Sequence, residues 1–178
     1  IRPDGTATFY VGKTDCGQGT GTAFRQIMSD ELDIAYDKTS LVSFARGLAD
    51  LSFDLVASGG TATELEEAGV STTRGEDVTG SPELLDGRVK TLHPRIHAGI
   101  LARRDHPEDV AALKEQGIEP FDLVCVNLYP FEHAAFGLRL QDEEVIELID
   151  VGGPSMLRAA AKNHAHVTAI CRPEDYDD

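Results

Sequence analysis

FDLVCVNLY, residues 121–129, is apolar on both faces of an extended chain. A strand with one wet face alternates apolar and polar residues, so a continuous run fits a strand covered on both sides, as in a parallel sheet flanked by helices. The surrounding chain has the matching alternation of elements. LVSFARGLADL (41–51) puts its apolar residues on one helical face, and FDLVAS (53–58) is a short strand followed at once by Gly59-Gly60-Thr61. TATELEEAG (61–69) reads as a helix stopped by Gly69, and PEDVAALKEQG (107–117) repeats that design with a first-turn proline, early acids and a terminal glycine. DEEVIELID (142–150) and GGPSMLRAAAKN (152–163) are helical, and HVTAIC (166–171) is a final strand. Strands alternating with helices of this length define an α/β fold with a parallel sheet, and such sheets bind ligands beyond the carboxyl ends of their strands.

Composition narrows the function. A chain of 178 residues with 41% hydrophobic content is the size of one domain with a real core. Its formal net charge of -15 repels nucleic acid and anionic membrane, so neither is expected as a partner, and an anionic small molecule needs a local cationic patch. No apolar run approaches bilayer length and no signal-peptide pattern opens the chain, which makes a cytoplasmic protein the expectation. Cys16, Cys125 and Cys171 have no metal-ligand spacing; the latter two lie in strand-like runs and read as buried thiols in a reducing compartment.

Four motifs can carry chemistry. SGGTA (58–62) leaves a strand and opens a helix, where backbone N–H groups and the Ser58 and Thr61 hydroxyls can cradle a phosphate; the alternative is a tight turn capped by Thr61. GQGTG (17–21) lacks the P-loop lysine and reads as a flexible turn. GRVKTLHP (87–94) is non-helical and offers Arg88, Lys90, Thr91 and His93 in an acidic chain. In an extended segment Arg88 and Lys90 share a side, which calls for an anion or for a carboxylate from elsewhere. His93 and His97 are interrupted by Pro94 and read as structural rather than metal-binding, and Arg103-Arg104 as a solvated end of the charge run. In IDVGGPSMLRAAAKNH (149–164), Gly152-Gly153 offer N–H groups, Arg158 and Lys162 stand i,i+4 with a crevice as their expected surroundings, and Asp150 is placed to orient Lys162 or act on a proton. Asn127, at the end of the strongest strand, belongs with these groups at a carboxyl edge.

YDKTSLVSFARGL, LVASGGTATELEEAGV, VTGSPELLDGRVKTLHPRIHAGILARRD, GIEPFDLVCVNLYPFE and IDVGGPSMLRAAAKNHAHVTAICRPEDY follow one another within residues 35–176. In this order and spacing they resemble the IMP cyclohydrolase domain of the bifunctional purine-biosynthesis enzymes that also carry a transformylase. The resemblance implies a methylglyoxal-synthase-like, Rossmann-like α/β fold and the dehydrative closure of 5-formamidoimidazole-4-carboxamide ribonucleotide to IMP. It implies Lys90, Tyr129, Asp150 and Lys162 as catalytic residues, and Lys38, Thr39, Ser58, Gly60, Thr61 and Arg88 as nucleotide-contacting ones. Thr91, Asn127 and Gly152 complete the expected substrate-binding set. No metal or organic cofactor is implied; a purine ribonucleotide substrate and a homodimer are.

Two departures accompany the resemblance. Ile34 stands in ELDIAYDKT where the family has a serine, and residues 1–33 resemble instead a fragment of the molybdopterin-binding large subunit of molybdenum hydroxylases, with GQG as the cofactor-side loop. The chain is therefore expected to divide into a foreign-looking segment, 1–33, and a cyclohydrolase domain, 34–178, with an atypical first strand and an incomplete C-terminal end. The competing readings are a purine-nucleotide-binding module without catalysis and a molybdenum hydroxylase fragment.

Overall fold

A computed structural model describes residues 7–13, 38–82, 84–85, 88–128, 142–147 and 149–176. The order of elements is β1 (Ala7–Lys13), α1 (Lys38–Asp50), β2 (Phe53–Ala57), α2 (Gly59–Glu67), β3 (Thr73–Arg74), α3 (Gly75–Thr79), α4 (Pro94–Leu101), α5 (Pro107–Gln116), β4 (Leu123–Asn127), α6 (Asp142–Glu147), α7 (Gly152–Lys162) and β5 (Thr168–Ile170). A short 3-10 turn, Pro173–Asp175, follows. Among the described residues five strands form one sheet in the order β3-β2-β1-β4-β5, and its pairings are parallel.

The middle strand comes from the segment that looks foreign. Val11 of β1 is in register with Ala57 of β2 on one side and with Cys125 of β4 on the other. The alternating stretch near the amino terminus thus joins the same sheet as the cyclohydrolase-like strands.

Each face of the sheet has its own core, which explains why the inner strands do not alternate. Leu55, Ala57 and Cys125 face α1 and α2, where Leu41, Ala45, Leu48, Ala62 and Leu65 meet them. Val56, Val124 and Val126 face the other way, toward Ile96 and Ile100 of α4 and Met156, Ala159 and Ala160 of α7. Burying a side chain of the Val, Leu, Ile or Met size contributes about 1.5–3 kcal/mol, so the two clusters hold both helical layers to the sheet. Gly69 and Gly117 end α2 and α5 in the left-handed conformation, with φ of 75° and 58°.

Several expectations change. The final strand is shorter than HVTAIC and lies at the sheet edge, paired only with β4 among the described residues; Cys171, just beyond it, is exposed rather than buried, whereas Cys125 is buried. Pro94 does not interrupt the basic run but opens α4 at its first position, where its missing N–H matters least. Arg104 is not a solvated end: it pairs with Asp122 and donates to the Phe121 carbonyl at 2.6 Å, joining the chain after α4 to the start of β4. Arg103 does lie in solvent, paired with Asp109. GQGTG and Cys16 fall outside the described residues.

Candidate functional site at the carboxyl edge of the sheet

β1, β2 and β4 end side by side. Because Val11 is level with both Ala57 and Cys125, Ser58 is level with Val126, one strand apart on either side of β1. Adjacent strands lie ~4.8 Å apart, so about 10 Å separates the two chains at this edge. Lys13, in register with Asn127, marks the carboxyl end of the middle strand between them. Sequence reasoning did not single out Lys13; the signal for it is the strand pairing, which composition does not encode.

On the β2 side the chain turns directly into α2. Gly59 adopts φ 54°, a conformation that strains any residue with a Cβ, and this lets the helix start immediately after the strand. Ser58, its N-cap, is buried and makes no side-chain cap hydrogen bond. Thr61 in the first turn is fully buried, and its Oγ1 has no hydrogen-bond partner among the described residues. The arrangement is an N-terminal helix turn with an uncommitted hydroxyl, which suits an anion.

On the β4 side the first turn of α7 is differently occupied. Asp150 Oδ1 accepts the Gly153 N–H at 3.0 Å, so this helix end is already capped by a carboxylate. The expectation of unoccupied N–H groups at both glycines is thus corrected at Gly153. No side chain fits at 153: a Cβ there would collide with Asp150 Oδ2 and lie 2.7 Å from Val126 Cγ1. Gly152 is approached by one side chain, because its Cβ would collide with Thr91 Oγ1. That close approach carries the basic segment to Asp150. Leu84 and Val89 exchange backbone hydrogen bonds of 3.1 and 3.2 Å, which close the turn before it, leaving Arg88 exposed and Lys90 half-buried.

The two histidines hold this side together. His93 Nδ1 accepts the Arg95 N–H at 3.2 Å as the cap of α4, and His97 Nε2 lies 3.2 Å from Ser155 Oγ on α7. Both make structural hydrogen bonds, although the helix that Pro94 opens leaves their i,i+4 spacing unbroken. Asn163 secures the far end of the same pair of helices by donating to the Ile100 and Ala102 carbonyls at 2.8 and 2.9 Å.

Lys162 is not at this edge. Ten positions separate it from Gly152 in α7, and at 1.5 Å per residue that is about 15 Å along the helix. Lys162 and Arg158 are both exposed, so neither points into a crevice, because the buried face of α7 is Gly153, Met156, Ala159 and Ala160. Within one copy Asp150 orients the α7 backbone, not Lys162. Lys38 and Thr39 form the first turn of α1, and Tyr129 lies outside the described residues. A cleft of about 330 Å³ opens elsewhere, around Asp54 and Phe121 near the amino ends of β2 and β4. Arg95 in its wall already donates to the carbonyls of Val78, Gln116 and Gly117, so the cleft brings no free cation to a ligand.

A parallel sheet covered by helices on both faces places the chain in the Rossmann-like α/β class. The family model of the MGS-like domain matches residues 40–155, and the chain belongs to that family. Over 141 residues it is 60% identical to the bifunctional purine biosynthesis protein PurH of Lacticaseibacillus casei, a match covering 79% of this chain and 28% of that protein. The PurH of Synechococcus elongatus is 58% identical over 142 residues, again 79% of this chain and 28% of that protein. The chain therefore spans little more than a quarter of the length of these curated relatives. Among solved structures, the crystal structure of ForH superimposes with a TM-score of 0.69 at 35% identity, covering 97% of this chain and 76% of that one.

The model of the molybdopterin cofactor-binding domain matches residues 1–66. The described part of that region does not fit such a cofactor. Ala7–Lys13 is hydrogen-bonded along both edges by β2 and β4, and residues 38–66 are spent on α1, β2 and α2 of the MGS-like domain.

Proposed function

We propose that this chain closes 5-formamidoimidazole-4-carboxamide ribonucleotide to IMP, the cyclohydrolase half-reaction of purine biosynthesis, as a cytoplasmic enzyme. The observation that carries the reading is the packing of Thr91 against Gly152, which brings the Lys90 segment to the Asp150 cap at the sheet's carboxyl edge. The resemblance of its motifs to the IMP cyclohydrolase domain names the reaction, and the likeness to PurH purine biosynthesis proteins supports it.

In this reading the nucleotide phosphate takes the first turn of α2, at Ser58, Gly60 and Thr61, with Lys38, Thr39 and Arg88 as further contacts. The base lies across the end of β1 toward β4 and α7, near Thr91, Asn127 and Gly152. The carboxamide nitrogen attacks the formyl carbon; a C–N bond forms, the C–O bond breaks, and the formyl oxygen leaves as water with one proton from the carboxamide nitrogen and one from the formamido nitrogen. Holding both groups of one molecule in contact supplies much of the acceleration. The Lys90 ammonium stabilises the oxyanion of the tetrahedral intermediate, and the Asp150 carboxylate takes the carboxamide proton, with Tyr129 assisting. Lys162, at the other end of α7, enters this site only from a second copy, which gives the expected homodimer a chemical reason.

The test is a spectrophotometric ring-closure assay on the purified chain and on Lys90→Ala. IMP formation that falls at least 100-fold in the variant, in line with the roughly 10²–10³-fold loss on removing one oxyanion donor, supports the reading. Wild-type IMP formation by a folded Lys90→Ala protein overturns the residue assignment. Binding of IMP without turnover by the unsubstituted chain favours a nucleotide-binding module instead.

A further inference from the structure

The last described turn of the chain reaches back to the carboxyl edge. Arg172 and Asp175 pair at 2.7 Å and close the Pro173–Asp175 turn, after which Tyr176 inserts toward the sheet. Its ring stacks on Phe44 of α1, with centroids 4.5 Å apart and planes within 8°. Its hydroxyl accepts the Asn127 Nδ2–H at 2.5 Å and a weaker bond from Cys125 Sγ at 3.8 Å. Asn127 is the last residue of β4, and its other amide atom, Oδ1, is buried with no hydrogen-bond partner among the described residues.

A carboxamide side chain can present either its donor or its acceptor end, and the neighbour that takes one end decides which is offered. We propose that Tyr176 is a positioning residue of the nucleotide site: by holding Asn127 Nδ2 it presents Asn127 Oδ1 to an O–H or N–H of a bound purine ribonucleotide. The inference rests on the functional reading above. It adds an orientation rule, because a nucleotide's phosphate monoester is mostly dianionic at neutral pH and then has no proton to give Oδ1. The phosphate is thereby steered to the first turn of α2, and the donor-bearing ribose or amide end to β4. Burial raises the Tyr176 pKa, so the hydroxyl stays neutral and available to Asn127 throughout the physiological range.

Tyr176→Phe removes the hydroxyl and keeps the ring on Phe44. In 15N–1H spectra of the unliganded chain, the Asn127 side-chain amide pair is the one missing from Asn127→Ala. Tyr176→Phe should move that pair and speed its exchange with solvent. Affinity for IMP should fall by about 3- to 10-fold, the worth of one hydrogen bond, while affinity for methyl phosphate, a monoester without ribose or base, stays unchanged. In an Asn127→Ala background, Tyr176→Phe should add no further loss. Unmoved amide signals, unchanged IMP affinity, or an equal loss in the Asn127→Ala background overturns the positioning role. A wild-type chain that binds no purine ribonucleotide overturns the functional reading and this inference together, an outcome told apart because the unsubstituted protein itself fails.

Discussion

Asp150 and Gly153 are locked together at the start of α7: the carboxylate accepts the Gly153 N–H at 3.0 Å, and that residue sits against Val126 of β4 with no room for a side chain. The same acid that caps the helix is the one expected to act on the substrate. Its position is therefore set by backbone packing before any ligand arrives.

Gly153→Ala tests that packing. A Cβ at 153 meets Val126 Cγ1 at 2.7 Å as well as the Asp150 carboxylate, and β4 cannot retreat from the middle of the sheet. Overpacking of this kind costs about 1–3 kcal/mol. Urea unfolding should show a lowered midpoint, accompanied by loss of ring closure.

Asp150→Asn separates the two jobs. An asparagine oxygen caps a helix about as well as a carboxylate, so the unfolding midpoint should stay close to wild type. Ring closure should fall by about 10²–10⁴-fold, the usual contribution of a positioned proton acceptor. A fully active Asp150→Asn protein would remove Asp150 from the chemistry.

Asn163→Ala is a stability prediction far from the site. Asn163 is buried and satisfies two carbonyls, Ile100 and Ala102, where α4 gives way to an extended chain. Leaving those acceptors buried without a donor costs about 1–3 kcal/mol. Calorimetry should record a lower Tm, with KM for the nucleotide unchanged.

Cys125 gives the protein a pH dependence on the alkaline side. Burial against the α1 and α2 layer pushes its thiol up to about 12 from an ordinary value of 9.0. The unfolded chain ionises this thiol first, so the unfolded state binds fewer protons above that ordinary value. Stability is therefore fully present below pH 9.0 and falls as pH rises from there toward about 12. At pH 8 a maleimide followed by peptide mapping should label exposed Cys171 and spare Cys125 until denaturant is added.

Elements whose burial is written in their own residues were legible in the sequence. The apolar runs of β2 and β4 and the glycine stops of α2 and α5 fall where the patterns place them. What was hidden depends on distant partners. Arg104 looks like the tail of a charge run because Asp122 lies in another element. Pro94 looks like a break because only the register of the following helix shows that it starts one. Lys162 sits beside Asp150 in the motif yet a helix length away in space, since α7 runs from one edge of the sheet to the other. Tyr176 gave no signal at all: its hydrogen bond to Asn127 exists only once β4 and the last turn meet.

The pairing of β1 with both β2 and β4 was equally invisible to composition, and the proposed site depends on it most. Without Ala7–Lys13 the two halves of the site have no strand between them. The direct measurement is ring closure by the full chain beside a version lacking residues 1–33. The full chain should form IMP, and the shortened one should lose both IMP formation and cooperative unfolding. A folded full chain that forms no IMP, or a shortened chain that closes the ring equally fast, would contradict the proposed site.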